Sequence, residues 1–314
     1  MNEFKTWGQC FDFTSSNREE WVNGRGRKTA LINANHFTQI KGRMFPIKDI
    51  TQGVMDSLKT ELRETREMED GTINKVFQYV QTTLNHCIDV GMVPCQDPKK
   101  AWINGMGRFA FKKLKVSRKT KECLTLAQVD QMAATATSLF SNQALSDSIL
   151  VSAWSGMGWA EFSQLTTSDV VLDTKHPFIG IGTQRNGWNL KKECRRRNVY
   201  FPADSAGYQR VVPILSRYVD LLGPSDLIPF LGDNWQSQDR HREQFNRVRD
   251  YLGFPDVITP YTLRRTYASA LAANDVHPSK THKLMGHSQM STTLGYYTYV
   301  DDGQLVDAMS RLEV

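Results

Sequence analysis

The segment Tyr261 to Val300, YTLRRTYASALAANDVHPSKTHKLMGHSQMSTTLGYYTYV, constrains this chain more than any other stretch. Arg264 falls in a helix start, followed by an apolar face of Leu263, Tyr267 and Leu271. A second helix ends at Leu284-Met285, and Gly286-His287-Ser288 then reads as a tight turn. A short threonine-rich helix leads to two adjacent tyrosines, Tyr296 and Tyr297. An arginine, a histidine and a tyrosine brought together in this order form a phosphoryl-transfer set. The guanidinium neutralises non-bridging phosphate oxygens in pairs, the imidazole donates a hydrogen bond, and the phenol supplies a nucleophile.

The rest of the chain must then carry a polyanion. Its 314 residues are enough for two domains with separate cores, and its net charge is +6. The basic residues are clustered. Arg108 to Lys121 reads RFAFKKLKVSRKTK, and Lys191 to Arg197 reads KKECRRR. Either run alone reads equally well as a solvated surface. Two dense runs, one between domains and one in a turn, favour contact with phosphates through counterion release. Lys112, Lys113, Lys115, Arg118, Lys119, Lys191, Arg195 and Arg196 are the candidates.

Other chemistries find no support. The five cysteines are scattered and lack CxxC spacing, which argues against a disulfide framework or a zinc site and suits a reducing cytoplasm. The remaining histidines show no metal-like spacing. No P-loop, GxGxxG or paired-carboxylate motif appears, so no nucleotide or divalent metal is expected. No stretch approaches a membrane span, and the first residues, MNEFKTWGQCFDF, lack the apolar core of a signal peptide.

Periodicity divides the chain near residue 115. Before it, a helical hairpin broken by Gly24 and Gly26 is expected, then a helix capped by Asp49 or Thr51. Asp70-Gly71-Thr72 breaks the pattern. A further helix follows, with Ile73, Val76, Phe77, Val80, Leu84, Cys87 and Ile88 on one face, stopped by Gly91 and Pro94. Ile103 to Lys121 reads as a basic, extended linker. Beyond it, Thr125 caps a long helix reaching Phe140, and another runs from Leu145 to Trp154. Val170–Leu172, Phe178–Ile181 and Asn198–Phe201 read as short strands, the last two flanking the basic turn. Helix returns from Val211 onward. The expected architecture is mainly α with one small sheet in the second half.

The C-terminal segment resembles the tyrosine recombinase, or phage integrase, pattern H-x-L-R-H-T-F-A, then L-G-H-S, then S-x-T-x-x-Y-[ST]-H-V. The phrase DGTINKVFQYVQTTLNHCIDVGMVP and the two-domain layout resemble the same family more loosely. The resemblance implies a helical, SAM-like core-binding domain over residues 1–115 and an α+β catalytic domain over 116–314. It implies strand cleavage through a 3′-phosphotyrosyl link, without metal or cofactor, on double-stranded DNA. It also implies a protein that is monomeric in solution, forms a tetramer at a synapse, and works in the cytoplasm of a bacterial or phage-infected cell, associated with the nucleoid.

Carried over by residue, Arg264 matches the family's second arginine and His287 its G-H histidine. The nucleophile is Tyr297 or Tyr296, and Tyr297-Thr298-Tyr299-Val300 fits the family's closing pattern better. Lys192, with Lys191 beside it, matches the hairpin lysine that protonates the leaving 5′ oxygen. Tyr261 stands where the family has a histidine; it either bonds a phosphate oxygen or merely packs.

One position departs. The family phrase T-G-x-R-x-x-E-x-x-x-L meets Ser155-Gly156-Met157-Gly158-Trp159-Ala160-Glu161-Phe162-Ser163-Gln164-Leu165, so the first arginine is Gly158. Three readings follow. The substitution traps or inactivates the enzyme, or another arginine (Arg185, or one of Arg195 to Arg197) fills the gap, or the chain is a non-catalytic DNA-binding relative. The compensating arginine ranks last, because a flexible turn holds a guanidinium loosely.

Overall fold

Thr51 and Asn85 illustrate how polar side chains shape the first half of the chain. In the computed structural model, the structure describes residues 3–24, 26–116, 122–184, 187–190, 192–230 and 238–295. The chain divides into two compact units, Met1–Lys119 and Thr120–Val314.

The first unit is helical: α1 (Trp7–Asn17), α2 (Glu19–Val22), α3 (Arg27–Lys41), α4 (Gln52–Glu64) and α5 (Asp70–Asp89). The Val54 amide donates to Thr51 Oγ1 at 3.3 Å, so Thr51 caps α4. Asp49 instead ends a short 3₁₀ turn. α5 is the spine, packing on α1, α3 and α4. Its apolar face buries Ile73, Val76, Phe77, Val80, Leu84 and Cys87, as periodicity predicts, with Ile88 half-buried at the edge. Asp70-Gly71-Thr72 does not break the chain; it forms the first turn of α5. A carboxylate is favourable there against the helix dipole, and Asp70 also pairs with Arg63. The break lies just before, where Glu67 takes a positive φ of 50°.

Residues 103–114 also differ from expectation. They are extended, but they are a strap bound to the first unit. Ile103, Phe109 and Phe111 enter its core. Side-chain amides hold the backbone: Phe109 N donates to Asn85 Oδ1 (2.9 Å) and Asn85 Nδ2 to Phe109 O (3.0 Å). Asn74 makes the same pair with Leu114 (2.8 and 3.0 Å), and Gln81 and Gln52 accept from Phe111 and Lys112 (3.1 and 2.9 Å). These bonds stand in for the neighbouring strand an extended segment needs. Lys112, Lys113 and Lys115 remain exposed on the outer side.

In the second unit, α6 (Leu126–Ser138) opens with a reciprocal cap in which Gln128 N donates to Thr125 Oγ1 and Thr125 N to Gln128 Oε1 (3.1 and 2.8 Å). α7 (Gln143–Ser155) packs against α6 and ends at Gly156, with φ 64°. A Cβ at 156 would come within 2.6 Å of the Tyr267 ring, so glycine is required. After the short α8 (Trp159–Phe162) come β1 (Val170–Val171), β2 (Phe178–Ile181) and β3 (Arg197–Tyr200). They form an antiparallel sheet in the order β1-β2-β3, with Ile179 opposite Val199 and Ile181 opposite Arg197. Ile179, Ile181 and Val199 face a core shared with Phe162, Leu165, Val211 and Leu215. The observed fold is the mainly α architecture with one small sheet. α9 (Ala206–Leu221) starts five residues before the position where helical periodicity is first evident, with Tyr208 N donating to Ser205 Oγ (3.1 Å). α10 (Gln238–Tyr251), α11 (Pro260–Ala273), α12 (Pro278–Met285) and α13 (Met290–Leu294) complete the described chain.

Candidate active site

The site is organised around a buried carboxylate. Glu161, in the only turn of α8, is 2% exposed, and its Oε2 accepts the Gly158 N–H at 3.0 Å. From the start of β3, Arg197 binds both carboxylate oxygens, at 2.9 and 3.2 Å. Arg195, on the turn before β3, reaches Glu161 Oε1 at 3.3 Å. Burial alone would raise the Glu161 carboxyl, but Arg197 and then Arg264 hold it down, to about 2.

Arg264 projects from the first half of α11 and is 1% exposed. Its Nη atoms donate to the carbonyls of Gly156 and Met285, just past α7 and at the end of α12. Helix ends leave such carbonyls without partners, so they suit a buried cation. Glu161 Oε2 lies 3.6 Å away, and burial lowers the guanidinium to about 10, so it stays charged near neutrality.

The turn after α12 carries His287, which is 7% exposed, with Nδ1 2.9 Å from Thr293 Oγ1. Burial, helped by Arg264 and Arg195, pushes its imidazole down to about 4. Gly286 precedes it with φ 60°; a Cβ there would stand 3.0 Å from Arg195 Cα and 3.1 Å from Cys194 O. The β2–β3 turn therefore lies directly on the Gly286-His287-Ser288 turn, and Lys192 Nζ donates to Ser288 Oγ at 2.9 Å.

The structure thus brings together Arg264, His287, Lys192 and Arg195. Tyr261 is not packed away: it is 55% exposed in the first turn of α11, with the Arg265 guanidinium over its ring. Arg196 turns back into its own hairpin, donating to Gly182 O and pairing with Glu193. Tyr296, Tyr297, Arg185, Lys191, Arg118 and Lys119 lie outside the described residues. Gly158 takes an ordinary extended φ of −103°. A Cβ there would meet nothing within 4 Å. It borders a cavity of about 260 Å³ whose walls include Trp159, Phe162, Leu263 and Arg264.

Arg197 as the inner anchor of Glu161, and Ser288 and Thr293 as partners of Lys192 and His287, are not assigned by the motif reading. Arg197 had a signal. It shares the inward alternation of Val199 and Phe201, where a charge demands a buried partner. No group of His, Cys, Asp and Glu suited to a metal occurs among the described residues, and no helix there is long and apolar enough to cross a membrane.

The second unit is thus helical with one small antiparallel sheet, whose hairpin turn leans on the Gly-His turn. The model of the Phage integrase family matches residues 122–304, more than half of the chain, and the chain belongs to that family, the tyrosine recombinases. A tyrosine recombinase of Thermosipho africanus is 26% identical over 162 residues, covering 51% of this chain and 50% of that protein. The transposase from transposon Tn916 of Enterococcus faecalis is 25% identical over 185 residues, 53% of this chain and 45% of that protein. The chain thus spans about half the length of these curated relatives. Among solved structures, the Tn1549 transposon integrase in complex with transposon right end DNA superposes with a TM-score of 0.75 at 18% identity, covering 98% of this chain and 99% of that one. XerH bound to a palindromic difH substrate gives 0.66 at 16% identity, covering 91% and 79%. At these identities the likeness is one of fold.

Proposed function

We propose that this chain is a site-specific DNA recombinase that cuts and rejoins strands through a 3′-phosphotyrosyl intermediate. The observation that carries this reading is the convergence of Arg264, His287 and Lys192, from α11, the α12–α13 turn and the β2–β3 turn, on one small volume. In the proposed step the Tyr297 phenol oxygen, with Tyr296 as the alternative, attacks the scissile phosphorus in line, its proton leaving to water. The bond to the 5′ oxygen breaks, and Lys192 protonates that oxygen. Arg264 neutralises the phosphoryl oxygens. His287, neutral near pH 7, donates its one N–H to one of them. A 5′-hydroxyl from a partner duplex reverses the sequence and joins the strands. The phosphodiester energy is kept in the link, so no nucleotide is consumed.

In this reading residues 1–115 are the core-binding domain and 116–314 the catalytic domain, and four copies assemble at the synapse. The exposed row Lys112, Lys113 and Lys115 holds the phosphate backbone. One observation favours a second reading, a DNA-binding subunit without turnover. Nothing within 4 Å of a Cβ at 158 forces glycine there, so the missing guanidinium is not dictated by packing.

The test is a nicked suicide duplex carrying the target site, obtained by selection from a random-sequence pool. A covalent protein–DNA adduct on a denaturing gel is expected. It should be lost in Tyr297→Phe with DNA affinity nearly unchanged. Absence of adduct in both the natural chain and Gly158→Arg refutes the catalytic reading and leaves the second.

A further inference from the structure

Three guanidiniums, those of Arg195, Arg197 and Arg264, surround a single carboxylate, Glu161, and His287 and Lys192 stand beside them. The cluster therefore holds more positive charge than its own counterion can balance. The Nε atoms of Arg197 and Arg264 are buried without a hydrogen-bond partner. Such a centre is built to receive an anion. We infer that Arg195 supplies, from the β2–β3 turn, the phosphate-binding guanidinium that position 158 lacks. The inference rests on the recombinase reading above and names a further catalytic residue for it.

Position comes first. The Glu161 carboxylate accepts the Gly158 amide on one oxygen and Arg195 on the other, so one carboxylate separates the Arg195 guanidinium from the backbone of residue 158. The Arg195 backbone abuts Gly286, the residue before His287, and its charge acts on both His287 and Arg264.

Access separates the candidates. The side chain of Arg197 is 6% exposed, whereas that of Arg195 is 29% exposed and can meet a ligand from outside. Arg197 binds both oxygens of Glu161 and is a positioning residue. Arg242 also borders the cavity beside Gly158, but its guanidinium is held by Asp239 at 2.6 Å on the exposed side of α10. Arg196 is turned away by Gly182 O and Glu193.

Rigidity removes the objection that a turn holds a guanidinium loosely. Glu193–Arg195 is a 3₁₀ turn whose Arg195 N–H donates to Lys192 O at 3.1 Å. The Arg195 carbonyl accepts Arg197 Nη1 at 3.0 Å. The Arg195 Cα itself abuts Gly286, where a Cβ would crowd it at 3.0 Å. The turn is clamped on both sides.

The experiment measures adduct formation on the nicked duplex for the natural chain, Arg195→Ala, Gly158→Arg and the double variant, with DNA affinity recorded in parallel. Each is run with an ordinary scissile phosphate and with a neutral methylphosphonate. Arg195→Ala is expected to slow the adduct about 100- to 1,000-fold on the phosphate, and by much less on the methylphosphonate, because the charge it neutralised is gone. Gly158→Arg in the Arg195→Ala background is expected to restore most of the rate. Equal losses on both substrates indicate a structural role and overturn the proposal, as does an unchanged rate in Arg195→Ala. An adduct from Gly158→Arg but none from the natural chain also overturns it while leaving the family chemistry intact. No adduct from either defeats this proposal together with the recombinase reading on which it rests.

Discussion

Glu161→Gln isolates the charge of the carboxylate from its shape. The amide keeps an oxygen for the Gly158 N–H, but it leaves Arg195, Arg197 and Arg264 without a counterion. The native carboxyl is held near 2, against an ordinary value near 4.5, with burial opposing and Arg197 and Arg264 prevailing. A difference of that size corresponds to about 3 kcal/mol of stability at pH 7. Because the folded value is depressed, this contribution is fully present above the unfolded value and is lost as pH falls towards 2. It should shrink to roughly 2 kcal/mol near pH 3.5. Urea melts of the two proteins at a series of pH values supply the check, the difference in midpoint being multiplied by the slope. Removing one partner of a buried pair costs about 3–5 kcal/mol in other proteins, so a larger gap at pH 7 is compatible with the argument. A gap below about 1 kcal/mol at pH 7, or one that does not narrow in acid, would show that the carboxylate is not the counterion of this cluster.

Two further outcomes are expected. Gly286→Ala places a methyl group against Arg195 Cα and Cys194 O at a positive φ, so it should lower stability by about 1–3 kcal/mol and slow any adduct by displacing the hairpin turn; thermal melts and the nicked-duplex assay read both. Asn85→Ala leaves the Phe109 N–H and carbonyl without their partner and should cost about 1–3 kcal/mol, with faster hydrogen exchange at Phe109 measured against the centre of α5. Unchanged exchange at Phe109 would show that the strap is held by its aromatic side chains alone.

Much of the second unit is legible in its sequence because its signals are local. Thr125 and Gln128 cap each other across one turn. β3 alternates in burial from Arg197 to Tyr200, and Gly286-His287-Ser288 forms the turn its composition suggests. The grouping of Arg264 and His287 follows from spacing within one segment. What spacing cannot supply is the contact between distant segments. The pairing of Arg197 with Glu161 joins residues 36 apart, and that of Lys192 with Ser288 joins residues 96 apart. The strap misleads for a different reason. It runs into the basic stretch Arg108 to Lys121, whose lysines and arginines set the reading, while the evidence for burial is only the alternation of Phe109 and Phe111. At Asp70-Gly71, turn chemistry and helix-start chemistry use the same residue types, and only the positive φ at Glu67 separates them.

The way residues 103–114 are fastened has a consequence for how this protein meets salt. Apart from the Arg108–Asp89 pair, their backbone is held by uncharged amides of Asn74, Asn85, Gln81 and Gln52. Dissolved ions screen charges but leave neutral hydrogen bonds nearly untouched. In the proposed role as phosphate contacts, Lys112, Lys113 and Lys115 lose their pull on a polyanion as ionic strength rises, while the rail beside them stays in place. Dissociation by salt should therefore be fully reversible on dilution, with the same footprint recovered each time.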